Sequence, residues 1–346
     1  MYHRLSSPAI AAPVLWLLSE GRHGTPEWSP DAQAASRTAD YAEANGLAAV
    51  VYRKARAAGV QVPAAVLGRL ARVHDDDLAR AAAAEAWIAR IDDAMAGAGI
   101  PVVWLKGAAW GGILYAQAGP RPMRDLDFVV APDATTAAAA VLGRLGFETE
   151  PGAPAAPQHL PRFRHGHEGI RVDLHHRLLP RRIYGFDVVE PPLEMAAHRR
   201  VGPGASNDEH LFHLLHMYLH VFHHSFYNLR LLHLHDIHLA TAAWGVESSA
   251  VGAPLRECMP ATLATRLERL VAGVLGGQAR HPGASQRLVD HFVCNGSLPL
   301  WAMLPGARSL AEAGRVAVAE SRRARFVLTA APGRFGRPPA ALHPPE

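Results

Sequence analysis

The segment Arg121-Pro-Met-Arg-Asp-Leu-Asp-Phe-Val-Val130 places two aspartates at the start of an apolar run of strand length. Residues two apart in a strand project to the same face, so Asp125 and Asp127 are predicted to present neighbouring carboxylates. Two carboxylates this close favour a divalent cation, because Mg²⁺ is commonly held by one or two carboxylates together with substrate phosphates. Arg121 and Arg124 precede the pair, where they could hold triphosphate oxygens or balance the acids. The segment therefore predicts a strand that carries a site for a metal and an anion.

A third carboxylate is predicted on another strand. In Arg171-Val-Asp-Leu-His175 polar and apolar residues alternate, which is typical of a strand with one polar and one apolar face. Asp173 and His175 share the polar face. If this strand lies beside the first, Asp173 completes the ligand set of a site for two metal ions. His175 is then a candidate for contacting the substrate or supporting the acids.

The chain upstream of the aspartates predicts a strand that leads directly into a helix. Ile100 to Leu105 is an apolar run of strand length, and Lys106-Gly107 opens a helical stretch that reaches Tyr115. The first N–H groups of a helix and the positive end of its dipole favour phosphate binding. Lys106 adds a point charge, so Lys106 and Gly107 are predicted to bind a phosphate group.

Helices are predicted on both sides of this strand-containing stretch. Residues 1–97 indicate a helical region with three helices after residue 31, residues 98–200 indicate a core of strands and helices, and residues 201–330 are helical again. These zones predict an α+β fold in which a small mixed sheet is flanked by helices, with all-α regions at both ends. Residues 331–346, rich in proline and poor in apolar residues, predict a disordered tail.

Composition narrows the class of protein. Hydrophobic residues at 49% argue against a disordered chain, and a net charge of only +4 argues against obligate nucleic-acid binding. The two cysteines, Cys258 and Cys294, are too few for a disulfide framework and lack CxxC spacing, which favours the cytoplasm. No apolar run has the length of a membrane span, so no membrane association is predicted.

Three elements together resemble a known signature. Lys106-Gly107, the segment from Arg121 to Val130, and Val172-Asp-Leu-His175 are similar to motifs of the DNA polymerase beta-like nucleotidyltransferase superfamily. More narrowly, they resemble its branch of largely uncharacterised bacterial nucleotidyltransferases with an LKG element and an RPM-x-D-x-D element. One departure is that Lys106-Gly107 stands where the superfamily has a Gly-Ser dipeptide.

The resemblance implies both a fold and an activity. It implies a nucleotidyltransferase sheet at 98–200 and Mg²⁺-dependent transfer of a nucleoside monophosphate from a nucleoside triphosphate to an acceptor. That acceptor could be a small molecule, a peptide or a protein. By the same resemblance, Lys106-Gly107 hold the nucleotide phosphates, and two Mg²⁺ ions are bound by Asp125, Asp127 and Asp173.

The chain has 21 histidines, and many of them lie between His159 and His238. On a helical wheel from Asp208 to Phe226 they form a stripe along one side of an amphipathic helix. One interpretation is that the stripe is simply the polar face of the helix. The other is that part of it faces the active cleft, with His216 or His220 near Asp236 of the next helix.

The histidine stripe also supports an alternative function. His213, His216 and His220 stand at i, i+3 and i+7, which share a helix face and could ligate a metal. A histidine-metal phosphohydrolase on the C-terminal helices is therefore an alternative to the transferase. A catalytically inactive module that binds a nucleotide or a partner is a further alternative, because a site can decay on an intact scaffold.

Overall fold

The structure is a computed structural model of the 346-residue chain. It describes Pro13, Val14, Leu18 and residues 31–275, apart from 154, 184, 197–199, 203, 225–228 and 247. The predicted tail at 331–346 and the part of the C-terminal helical zone at 276–330 lie outside the described residues.

Three helices lie between residue 31 and the sheet, as predicted. They are α1 (Ala32–Ala44), α2 (Ala48–Ala57) and α3 (Ala64–Gly97). The side chain of Asp31 caps α1, because it accepts the backbone N–H groups of Gln33 and Ala34. The long helix α3 is tied to the strand region through Trp104, whose indole N–H donates to Asp92 at 3.0 Å.

A five-stranded mixed sheet forms the centre of the protein. Its strands are β1 (Val103–Leu105), β2 (Leu126–Val129), β3 (Phe147–Thr149), β4 (Phe163–His165) and β5 (Arg171–His175). The spatial order is β1-β2-β5-β4-β3, in which β2 and β5 are parallel and every other neighbouring pair is antiparallel. Every residue of β2 is buried, and β5 is buried from Val172 onward. This central parallel pair positions the candidate site.

One predicted strand differs in extent. The strand predicted from Ile100 is shorter, because β1 begins only at Val103; Pro101 has no N–H to give to a strand ladder. Helix α4 (Lys106–Leu114) follows β1 with no intervening residue. After β2 the chain forms a short 3-10 turn, Pro132–Ala134, and continues as α5 (Thr135–Arg144).

Helices also follow the sheet. After the short pair β6 (Arg182–Ile183) and β7 (Phe186–Asp187) and a 3-10 turn at Leu193–Met195, the chain forms α6 (Asn207–His224), α7 (Leu231–Trp244), α8 (Ser248–Cys258) and α9 (Ala261–Leu275). A capping box starts α6: Ser206 Oγ accepts the N–H of Glu209, and a Glu209 carboxylate oxygen accepts the N–H of Ser206. Helix α7 packs on both α6 and α4, so the C-terminal helices lie against the helix that leaves β1.

The architecture confirms the predicted fold class. The protein is α+β, with a small mixed sheet flanked by helices and helical regions before and after it. Across the part of the chain that the structure describes, no helix has both the length and the apolar character needed to span a membrane.

Candidate active site

The three predicted aspartates lie together at the central strand pair. Asp125 immediately precedes β2, Asp127 lies within it, and Asp173 is the residue opposite Asp127 in β5. Opposed residues on neighbouring strands point to the same face, so the register of a single parallel pair brings two of the carboxylates side by side. One guanidinium, that of Arg162, contacts both Asp125 and Asp173, which links the third carboxylate to the same cluster. We call these three residues the carboxylate cluster.

Lys106 and His175 both contact the most buried member of the cluster. The Nζ atom of Lys106 donates to Oδ1 of Asp127 at 2.7 Å, and Nε2 of His175 lies 3.2 Å from the same oxygen. Asp127 is 2% exposed. Lys106 and His175 are therefore brought to the aspartates, as the sequence order of their elements predicts.

The backbone of Lys106 has an unusual conformation. Its φ is +51°, and among the described residues no other non-glycine residue has a positive φ. An L residue in the left-handed region costs about 1 kcal/mol, so the surrounding structure must hold it there. This conformation makes the sharp junction between β1 and α4, from which the ammonium group reaches Asp127.

Gly107 is required for a close approach of two side chains. A Cβ at this position would lie 2.5 Å from Nη1 of Arg121 and 2.9 Å from Cγ of Met123. Real Cβ atoms are not found at such distances, so any side chain here would force the side chains of Arg121 and Met123 to shift. Packing by itself therefore accounts for the glycine, and its predicted role in phosphate binding stays a prediction.

Arg162 is the site residue that the sequence interpretation missed. Its Nε and Nη2 atoms donate to the two oxygens of Asp173, both at 2.7 Å, and Nη2 also lies 3.0 Å from Oδ2 of Asp125. Arg162 precedes β4, in which Phe163 pairs with Val172 of the antiparallel β5. That pairing carries Arg162 to the level of Asp173. The alternating pattern of β4 could have suggested this only if the pairing register had been known.

A second missed residue is His159. Its ring contacts that of His175 at 5.1 Å between centroids, and the two residues form an isolated β-bridge. Burial lowers the pKa of His159, so its neutral form is favoured beside Asp127 and Asp173. It lies in a Pro/Ala-rich loop with no pattern that distinguishes it from the other histidines.

The electrostatics of the cluster differ between its members. Burial raises the pKa of Asp127, but the ammonium of Lys106 and the contact with His175 outweigh it and hold that pKa well below its ordinary range. For Asp173, burial is likewise outweighed by the Arg162 fork, which lowers its pKa. The pKa of Asp125 is raised, first by burial and then by the charges of Asp127 and Asp173. The cluster thus holds more negative charge than its two cations neutralise.

Arg121 is placed differently from its predicted role. Its Nε and Nη2 donate to the two oxygens of Asp236 on α7 at 2.9 and 2.7 Å, and the hydroxyl of Tyr115 donates to Asp236 at 2.7 Å. A buried guanidinium must be paired, and α7 supplies the carboxylate. Arg121 is therefore not bonded to the carboxylate cluster, and Asp236 is held by Arg121 and Tyr115 rather than by His216 or His220. We call Arg121, Tyr115 and Asp236 the Arg121 network.

Arg124 is likewise separated from the aspartates that follow it. Its side chain is exposed, and its charge acts on Asp77 of α3. The structure therefore shows no contact by which Arg124 would balance Asp125 or Asp127.

The histidine stripe on α6 is not a solvated polar face. His213 and His216 are each 1% exposed, so that interpretation is wrong for the inner part of the stripe. His216 is close enough to Lys106, His175 and Asp127 for their charges to act on its pKa. His220 contacts the rings of His216 and of His233 on α7. Burial is the main reason why the pKa of His216 and that of His220 are lowered.

The donor groups near the site differ in how well they suit a metal ion. Within the described residues, no three His, Cys, Asp or Glu side chains are arranged so as to hold a metal ion as they stand. The histidine-metal site therefore finds no support there. The carboxylate cluster has the oxygen donors that Mg²⁺ prefers. Four of its six oxygens, however, are engaged by Lys106 and Arg162, so the donor chemistry fits Mg²⁺ while the present side-chain positions do not.

Comparison of the sequence with known proteins gives one match, to a protein family. No curated protein and no solved structure matches the chain. Residues 31–262, well over half of the chain, match the model of a protein family described as uncharacterised nucleotidyltransferase. The matched range includes Lys106, the 121–130 segment and β5. The chain belongs to this uncharacterised nucleotidyltransferase family.

Proposed function

We propose that the protein is a Mg²⁺-dependent nucleotidyltransferase that moves a nucleoside monophosphate from a nucleoside triphosphate to a hydroxyl-bearing acceptor. One observation carries the proposal: three aspartates on two neighbouring parallel strands converge beside a lysine at a strand-to-helix junction. We place the protein in the branch of its superfamily with LKG and RPM-x-D-x-D elements. The acceptor is a small molecule, a peptide or a protein.

The carboxylate cluster is the proposed metal-binding element. Bound at Asp125, Asp127 and Asp173, two Mg²⁺ ions would polarise the reacting phosphate and neutralise charge on the leaving pyrophosphate. Asp173 is the residue that we assign to the acceptor, whose hydroxyl proton a carboxylate can accept. Its place opposite Asp127 keeps the acceptor next to the nucleotide.

The start of α4 is the proposed phosphate-binding element. No side chain caps the first turn of this helix, so its N–H groups can donate to phosphate oxygens. Lys106 supplies a positive charge at the same point, and its strained backbone fixes where that charge lies. His175 supports Asp127 through their contact, and the buried His216 on α6 is near enough to Lys106 and Asp127 for their charges to act on its pKa.

A second candidate function is a nucleotide- or partner-binding module without turnover. It is favoured by the ion pairs of the cluster, because Asp127 and Asp173 are each held by a protein cation. These pairs neutralise part of the charge that a metal ion would otherwise compensate. The two candidates share the fold, and only the first cleaves a bound nucleotide.

The test is incubation of the purified protein with Mg²⁺ and each labelled nucleoside triphosphate. Self-labelling, or release of pyrophosphate with a candidate acceptor, supports the transferase. An Asp125→Asn, Asp127→Asn double variant should then lose turnover completely, whereas Asp133→Asn, an exposed acid in the turn after β2, should keep it. Nucleotide binding without cleavage in the unaltered protein would favour the binding module. Failure to bind or cleave any nucleotide contradicts the transferase and the nucleotide-binding module, and leaves only a module that binds a partner.

A further inference from the structure

Arg162 binds the atoms that a metal ion would need. Its guanidinium takes both oxygens of Asp173 and one oxygen of Asp125. A metal–oxygen bond to Mg²⁺ is about 2.0–2.1 Å long, so a metal bound to these oxygens and a guanidinium nitrogen 2.7–3.0 Å from them would fill the same space. Arg162 and a metal ion therefore exclude one another at these three oxygens.

Asp127 keeps one carboxylate oxygen to which Arg162 does not bond and which a cation could use. Lys106 and His175 both contact its Oδ1 atom. Among the hydrogen bonds of the described residues, none uses its Oδ2 atom. A cation can therefore approach the cluster through Asp127 and Asp125, whose side chain is 31% exposed, before Arg162 has left.

The position of Arg162 allows it to leave. It precedes β4 rather than lying within it, and its side chain is 17% exposed. The long side chain can rotate about its own bonds while the sheet stays intact. A guanidinium binds a phosphate with the same fork geometry that it uses for a carboxylate. A nucleotide phosphate beside the cluster would thus be a second partner for Arg162.

We propose that Arg162 is a phosphate-binding residue which, in the absence of ligands, acts as an internal counter-ion and competes with the divalent cation for Asp125 and Asp173. This inference deepens the proposed function, on which it rests for the identity of the cation and the nucleotide. Arg162 lowers the affinity for the metal alone and raises the affinity for the nucleotide. Metal and nucleotide binding are consequently coupled: the metal releases Arg162 for the phosphate, and the phosphate withdraws Arg162 from the carboxylates that the metal needs.

The experiment measures two affinities in full-length variants. Calorimetry with Mn²⁺ or Mg²⁺ alone gives the first, and titration with a non-hydrolysable nucleoside triphosphate in excess Mg²⁺ gives the second. In Arg162→Gln the Kd for the metal should fall by about tenfold, the order expected when a charge-assisted fork no longer competes, and the Kd for the nucleotide should rise by about tenfold. The control is Arg171→Gln, because Arg171 lies in β5 and pairs with Glu150 outside the cluster. It should change neither value.

The opposite signs separate this role from a structural one. A residue that merely held the aspartates in place would, when removed, weaken both affinities. An unchanged or weaker metal affinity in Arg162→Gln overturns the proposal, as does the absence of metal binding in every variant. Arg162→Lys keeps the charge and loses the fork. Its metal affinity should lie between that of the unaltered protein and that of Arg162→Gln. It decides the matter if Arg162→Gln does not fold.

The outcome is independent of turnover. If Arg162→Gln binds metal more tightly but no form of the protein cleaves a nucleotide, the competition stands and the transferase assignment fails. If the unaltered protein transfers nucleotides and Arg162→Gln has the same metal affinity as the unaltered protein, the transferase assignment stands and the competition fails.

Discussion

Two regions of this protein use the same arginine–aspartate fork with different charge balance. In the Arg121 network one guanidinium meets one carboxylate, Tyr115 donates a further hydrogen bond, and both charged groups are less than one-tenth exposed. In the carboxylate cluster, Arg162 and Lys106 face three carboxylates, and Asp125 reaches solvent. The first region is balanced and closed, whereas the second carries surplus negative charge and is open.

The difference separates a structural ion pair from a binding site. A balanced buried pair gains nothing from a further ion, and breaking it leaves an uncompensated charge in the interior. A cluster with surplus charge is destabilised by its own repulsion and is relieved by a cation from solvent. The Arg121 network is therefore expected to fix α7 against α4, and the cluster is expected to bind ligands.

The largest effect is expected from breaking the balanced network. Asp236→Asn leaves the buried Arg121 guanidinium without its counter-charge, so the free energy of unfolding should fall by about 3–5 kcal/mol. Denaturant unfolding measures this. The control is Asp187→Asn, which removes the partner of Arg182 from a pair in which both side chains are mostly exposed, and it should leave stability nearly unchanged. A loss in Asp236→Asn no larger than in the control would show that the network is not structural.

The sequence predicted one of these regions much better than the other. Asp125, Asp127 and Asp173 were found because the two-residue period of a strand places them on a face before any pairing is known. Arg162 depends on the register between β4 and β5, and Asp236 depends on how α7 docks on α4, neither of which has a local signal. Arg121 pairs with Asp236 and not with the acids that follow it, because its proximity in sequence to Asp125 does not determine where its side chain points.

Gly107 tests the contact between the two regions. Gly107→Ala would place a methyl group 2.5 Å from Arg121 Nη1, so the side chains of Arg121 and Met123 must shift. Overpacking of this kind costs about 1–3 kcal/mol, which should appear as a lower denaturation midpoint. Gly111→Ala, on the same helix, adds a methyl group at an ordinary contact distance of 3.9 Å and should leave stability unchanged or slightly higher. Equal effects of the two substitutions would contradict this account of Gly107.

Buried histidines form a third kind of region, in which a titratable group stays uncharged in the folded protein. His213 packs against Trp110, its Nδ1 atom has no partner among the described residues, and burial lowers its pKa to about 3. Its folded pKa is thus below the unfolded value of about 6.5, so its contribution to stability is complete above that pH. The contribution is lost as the pH falls from about 6.5 toward 3, at about 1.4 kcal/mol per pH unit.

The measurement is the slope of unfolding free energy against pH between about 6 and 4. His213→Gln should reduce that slope by the contribution of one proton, whatever it does to stability at neutral pH. An unchanged slope would mean that His213 is paired or solvated in the folded protein.

The smallest effect tests the surplus charge directly, through its sign. Asp125 has a raised pKa because burial and the charges of Asp127 and Asp173 disfavour its ionised form. Asp125→Asn removes one of the repelling charges and keeps an oxygen for Arg162. At neutral pH with a chelator present, it should therefore stabilise the protein, by on the order of 0.5 kcal/mol for a group that is partly exposed. Asp127→Asn should do the opposite, because Lys106 favours the ionised form of Asp127 and would lose its counter-charge.

Paired unfolding curves of the two variants give both signs. Addition of Mg²⁺ should stabilise the unaltered protein more than either variant, since a metal bound at the cluster stabilises only the folded state. Destabilisation by both substitutions in the chelator would mean that the carboxylate cluster is balanced like the Arg121 network, and that the contrast between the two regions does not hold.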